Sequence, residues 1–160
     1  MTAGLSLAPI AATQFGRVAH IAVHPDQVRF SGTVRQAFDR KEPGVDFHAI
    51  CVEGRSVGFF KIDHNYSEKH WFARLGEPGL RAFMIDKDHQ GLGIASGAVR
   101  ALGDYLPAQY PAIPSLVLTV NMANPAAVRV YRGGGFVDTG EIWEGGMAGP
   151  QLVMRLPLKG

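Results

Sequence analysis

Gly91 and Gly93 lie in a short turn, Gln90-Gly91-Leu92-Gly93-Ile94-Ala95, between an apolar run and a helical pattern. The apolar run is Leu80-Arg81-Ala82-Phe83-Met84-Ile85, followed by a charged step, Asp86-Lys87-Asp88-His89. A strand that passes into a helix through glycines presents a row of unpaired backbone N–H groups at the helix N-terminus. Those groups, with the positive end of the helix dipole, suit a phosphate or pyrophosphate. The turn therefore predicts a nucleotide-like ligand.

Dinucleotide binding fits this turn poorly. Gly91-x-Gly93 is followed by Ser96 where the G-x-G-x-x-G fingerprint has its third glycine. That fingerprint also starts directly after its strand, and an acidic residue ends the next strand. Here the charged step intervenes, and the next strand ends Thr119-Val120-Asn121. No G-K-[S/T] is present, which removes a Walker-type phosphate loop.

A second group of residues lies downstream, in Asn124-Pro-Ala-Ala127-Val-Arg-Val-Tyr131-Arg-Gly-Gly-Gly135-Phe136. On a helix, Asn124, Ala127 and Tyr131 share one face, being three and four residues apart. Taken alone, they read as a helix cap and a half-buried packing tyrosine. His20 and His24 are also four apart. The zinc-protease pattern needs a glutamate after the first histidine, where this chain has Ile21, and Pro25 follows at once, so they read as surface groups. The one cysteine, Cys51, lies in the apolar run Phe47–Val52 and reads as a buried thiol. A lone cysteine also removes an internal disulfide and any cysteine-clustered zinc site; no metal is expected.

Composition narrows the classes further. The chain has 160 residues, enough for one domain with a sizeable core. Its net charge of +2 divides evenly, +1 in residues 1–80 and +1 in 81–160. Without a basic stripe, nucleic acid is not an expected partner. No apolar stretch reaches membrane-spanning length and no cationic leader opens the chain, so a cytoplasmic protein with no membrane partner is expected.

The elements that must position these residues follow from periodicity. Leu5–Ile10 reads as a strand, and 13–23 as a helix with Phe15, Val18, Ala19 and Ala22 on its apolar face. Pro25-Asp26-Gln27 opens a second helix through Val28, Val34, Ala37 and Phe38, ended by Pro43-Gly44. Phe47–Val52 and Ser56–Asp63 form a hairpin about Glu53-Gly54-Arg55. His64–Gly79 is an irregular loop carrying Trp71 and Phe72. In the helix after Gly93, the residues Ala95, Ala98, Val99, Leu102 and Leu106 share a face, and Pro107 closes it. Ser115–Val120 is a strand, Asn124-Pro125 starts a helix to about Gly133, and strands Phe136–Glu144 and Gln151–Leu156 end the chain. The order predicts an α/β or α+β sandwich around one sheet, as a single domain over 1–160.

Taken together, the two motifs carry more than either alone. Gln90-x-x-Gly93-x-Ala95 resembles the Q/R-x-x-G-x-G/A turn of the GNAT N-acetyltransferase superfamily. Asn124-x-x-Ala127-x-x-x-Tyr131-x-x-x-Gly135-Phe136 resembles that family's second signature. The early helices and the Glu53-Gly54 hairpin are similar to the family's opening elements. Within the family, Phe83-Met84-Ile85-Asp86 and Thr139-Gly140-Glu141 look like the diamine or polyamine branch.

The resemblance implies a mixed central sheet of about six to seven strands flanked by helices. It implies acetyl-coenzyme A as co-substrate, with backbone N–H groups of Gly91, Leu92, Gly93, Ile94, Ala95 and Ser96 on the pyrophosphate and Gln90 opening the turn. The backbone at Met84 and Ile85 would pair with the pantetheine arm, and Asn124 would hydrogen-bond it. Tyr131 would protonate the departing thiolate as general acid. The acceptor would be a primary amine of a small molecule, with Glu141 or Glu144 facing its charge and Trp71 on the loop as an acceptor wall or homodimer contact. Glu141, Asp86 and His64 are the candidates for the group that takes the amine's proton. A protein or peptide acceptor, and a non-catalytic acetyl-coenzyme A sensor, remain as alternatives.

Overall fold

The computed structural model describes residues 4–146 and 148–158. Seven strands form one sheet in the order β1-β2-β3-β4-β5-β7-β6. They are β1 Leu5–Ile10, β2 Val45–Val52, β3 Arg55–Asp63, β4 Gly79–Ile85, β5 Ser115–Asn121, β6 Val137–Trp143 and β7 Gln151–Pro157. The helices are α1 Val28–Ser31, α2 Val34–Arg40, α3 Ile94–Gln109 and α4 Pro125–Gly133. Every neighbouring pair is antiparallel except β4 and β5, which run parallel. The expected mixed sheet is the one observed.

Both faces of the sheet are covered, and the strand sequences alternate accordingly. On β2, Phe47, Ala49 and Cys51 pack with Val34 and Ala37 of α2, while Ile50 joins the cluster under α3. The buried stripe of α3 is Ile94, Ala98, Val99, Leu102 and Leu106, with Ala95 at its margin. No described helix is long and apolar enough to cross a membrane, and no described group of histidine, cysteine or carboxylate side chains is arranged to hold a metal.

Three helix expectations need correction. Residues 13–23 form no α-helix: Val18 N donates to Phe15 O and Ile21 N to Val18 O, both at 3.0 Å, in successive tight turns. The residues buried there are Val18 and Ile21, three apart, rather than Ala19 and Ala22. The helix expected from Pro25 is broken at Gly32, whose φ of 72° no α-helix continues, and Thr33 caps a new one. Finally, Pro107 lies inside the last turn of α3, which runs on to Gln109. A proline lacks one N–H, but Tyr110 N still closes onto Leu106 O at 2.7 Å.

Candidate active site

The site begins where the sheet fails to close. Gly79 and Val117 are the register pair that joins β4 to β5, and beyond it the two strands diverge. On its other edge β4 is fully engaged, but with a bulge: Lys61 pairs with Arg81 and Phe59 with Met84, so β4 carries one extra residue. Within that bulge Ala82 has φ 54°, a left-handed conformation uncommon for a residue with a Cβ. A cleft of about 1100 Å³ opens in the gap. Leu80 to Ile85, Thr119 to Asn121, Gln90, Gly91, Gly93 to Ser96, and Asn124 and Tyr131 all line it.

At one end stands the glycine turn. Gly91 and Gly93 have φ of 79° and 80°, and a Cβ at either would meet no protein atom within 4 Å. The space beside them is open. The first intrahelical bond there runs from Gly97 N to Gly93 O, leaving the N–H groups of Ile94, Ala95 and Ser96 without a partner in α3. The side chain of Gln90 turns back: its Nε2 donates to Ile85 O at 2.9 Å, and its amide pairs with that of Gln27. Leu92 is 56% exposed and contributes backbone only to the turn. Asp86 holds the step before it, accepting Ala22 N at 3.0 Å and meeting His89 Nδ1 at 3.1 Å. Burial opposes its charge, yet those hydrogen bonds keep the carboxyl below its ordinary value.

Asn124 caps α4 as its position suggests, its Oδ1 accepting Ala127 N at 3.4 Å. One helical turn further along, the Tyr131 ring packs edge-on to Phe83 at 5.8 Å and to Phe136 at 5.6 Å. Burial raises its phenol well above the ordinary tyrosine value, so it is protonated at neutral pH.

The other end of the cleft is polar. Glu42 accepts Lys61 Nζ and Arg81 Nη1, each at 2.8 Å, and Arg81 Nη1 also meets Asp63 at 3.0 Å. Burial works against the Glu42 carboxylate, but hydrogen bonds from Lys61 and Arg81 hold its pKa at about 2. Above this group His70 stacks on Tyr66, with ring centroids 3.7 Å apart, and meets Trp143 of β6 at 4.9 Å. Tyr66 in turn covers Gly79, where any Cβ would strike its ring. Burial pushes the Tyr66 phenol up to about 12, with a hydrogen bond to Thr119 acting the other way. The 64–79 loop is tied down by Glu77, whose carboxylate meets Arg155 Nε at 2.7 Å, Arg74 N at 2.9 Å and the Ser115 hydroxyl.

Of the residues singled out from sequence, Met84, Ile85, Gln90, Gly91, Gly93, Ile94, Ala95, Ser96, Asn124 and Tyr131 are brought together in the cleft. Glu141 and Trp71 are not among its lining residues. Glu141 lies on β6, where its charge acts with Glu77 to raise the Arg155 pKa, and Trp71 is 68% exposed, packed edge-on to Phe72. The proton-acceptor candidates His64 and Asp86 also lie outside it, His64 bound to Asp46 at 3.0 Å. Sequence reasoning passes over Glu42, Lys61, Asp63, Tyr66, His70 and Arg81. The one signal for any of them is the length of the 64–79 loop, where Trp71 is the more conspicuous side chain.

Known structures share this architecture. The aminoglycoside acetyltransferase AAC(6')-Ib in complex with coenzyme A and kanamycin superposes with a TM-score of 0.76 at 16% identity, covering 96% of this chain and 94% of that one. A chimera of the spermidine N-acetyltransferase SpeG from Vibrio cholerae with hSSAT gives 0.71 at 16%, covering 97% and 96%. An uncharacterized protein from Bacillus halodurans gives 0.74 at 11%, covering 96% and 83%. At these identities the likeness is one of fold. No curated protein matches the chain. The family model described as the acetyltransferase (GNAT) family matches residues 18–136, well over half the chain. With its splayed sheet, its glycine turn and that match, the chain belongs to the GNAT acetyltransferase family.

Proposed function

We propose that this protein, as one domain, transfers the acetyl group of acetyl-coenzyme A to a primary amine of a small molecule. The observation that carries the reading is the meeting of three features in one cleft: the glycine turn, the unpaired edge of β4 and the Tyr131 phenol. Coenzyme A in the AAC(6')-Ib complexes, and spermidine and kanamycin as the amines of two fold neighbours, support it.

The residues fit the co-substrate. Positive φ at Gly91 and Gly93, with open space beside them, suits a pyrophosphate approaching the N–H groups of Gly91 through Ser96. Gln90 positions that turn by bonding Ile85 O rather than by reaching outward. Beyond Gly79 the β4 edge makes no register pair with β5, which suits an amide-bearing arm laid along the strand past Met84 and Ile85. Asn124 lies beside that path. Tyr131 keeps its proton at neutral pH and donates a hydrogen bond to the sulfur as negative charge develops on it.

The test is an acetylation screen with acetyl-coenzyme A over polyamines, aminoglycosides, amino acids and peptides, followed by free-thiol release. Acceptor-dependent thiol release with a small amine is expected. Release with peptides alone would replace the small-molecule reading, and binding without release would make the chain a sensor.

A further inference from the structure

A primary amine of pKa about 10 enters as an ammonium at pH 7, and something must take its proton. The titratable groups of the cleft can be sorted by their partners. Asp26 adjoins Gln27, and His89 is bound to Asp86, so both belong to the glycine-turn end. Glu42 neutralises Lys61 and Arg81, which hold its pKa at about 2 and make it a poor proton acceptor, and Asp63 is ion-paired to Arg81. Tyr66 and Tyr131 are protonated phenols.

His70 remains. Its Nδ1 lies 3.0 Å from the carbonyl oxygen of Tyr66, an acceptor only, so Nδ1 carries the hydrogen and Nε2 carries the lone pair. The ring stacks on Tyr66, meets Trp143 edge-on, and lines the cleft. We infer that His70 is the general base, its Nε2 accepting a proton from the acceptor's ammonium group. The inference rests on the acetyl-transfer reading and adds to it the residue that activates the nucleophile.

The ammonium gives one N–H proton to His70 Nε2, and the freed lone pair forms a C–N bond with the acetyl carbon. Collapse breaks the C–S bond, and the thiolate leaves with the Tyr131 hydrogen bond and takes the second proton lost by nitrogen. His70 then returns its proton to water.

The charges facing His70 agree with the role. Burial lowers its pKa below the ordinary 6.5, the Tyr66 carbonyl acts in the opposite direction, Arg81 on β4 and Lys69 on its own loop lower it, and Asp63 on β3 raises it. The imidazole is thus neutral at pH 7.

The experiment compares wild type with His70→Gln across pH 6–10, using spermidine and kanamycin as acceptors. The variant is expected to lose about 10²-fold in kcat at pH 7, with the KM for acetyl-coenzyme A unchanged. The deficit should shrink towards pH 10, where the amine arrives already neutral. No deficit, or one constant across pH, would overturn the assignment while leaving acetyl transfer intact. Wild type inactive on both amines would instead count against the small-amine reading. His70 itself is then decided by imidazole nitrogen NMR of the full chain at pH 7.5. There the Nδ1–H tautomer is expected, and the Nε2–H tautomer would overturn the inference.

Discussion

Tyr131 on α4 packs edge-on against Phe83 on β4, with ring centroids 5.8 Å apart. The contact fixes a phenol from the C-terminal half of the chain over the strand that bends away from its neighbour. Tyr131→Phe retains the ring and its packing while removing only the hydroxyl. Turnover should fall by ~10²-fold with coenzyme A affinity nearly unchanged, as read from steady-state thiol release and calorimetric titration. Full turnover in that variant would remove the hydroxyl from the chemistry.

Gly93→Val tests the turn. Valine at a φ of 80° is strained, and its side chain would fill the open space beside the α3 N-terminus. Coenzyme A binding should be lost while circular dichroism still shows the folded chain. Tight binding by a folded variant would contradict the pyrophosphate assignment.

Glu42→Gln tests the polar end of the cleft. Lys61 and Arg81 stand opposite one another across β3 and β4, and Glu42 binds both. With Lys61 only 3% exposed, removing that carboxylate leaves a buried cation short of its partner, at a cost of about 3 kcal/mol. Urea midpoints at pH 7 should show it. In the wild type the folded-state pKa of Glu42 is depressed from 4.5 to about 2. Its contribution is therefore present above pH 4.5 and is lost as pH falls towards 2.

A second acid-sensitive window belongs to His48. Fully buried and stacked on Phe60, it bonds the Tyr105 hydroxyl at 2.6 Å and the Tyr110 hydroxyl at 2.9 Å. Burial lowers its pKa from 6.5 to about 4. The unfolded chain binds this proton first, so stability should fall as pH drops from 6.5 towards 4, by about 3 kcal/mol in all. His48→Gln should flatten that part of the pH–stability curve. An unchanged curve would mean that His48 does not contribute to it.

These contacts show how far local sequence carries. The glycine turn and the Asn124 cap are each specified within a few consecutive residues, so both are legible in the sequence alone. The polar end of the cleft is not local. Glu42 follows α2, Lys61 and Asp63 are on β3, His70 is in a loop and Arg81 is on β4, and strand register joins them. A linear reading offers Asp86 alongside Glu141 and His64 as proton acceptor, yet its carboxylate anchors Ala22 and His89. The 13–23 region misleads for another reason: apolar spacing of three and four fits a helix, whereas Val18 and Ile21 are buried by consecutive three-residue turns.

The single register pair between β4 and β5 bears on how this chain can change. A continuous β4–β5 ladder would add hydrogen bonds, so the sheet stops short of its most tightly laced form. Changes that paired the rest of β4 with β5 would run the lacing to its end. The product would be a sturdier scaffold with no slot for a ligand arm, and selection for robustness alone would drive the protein toward it.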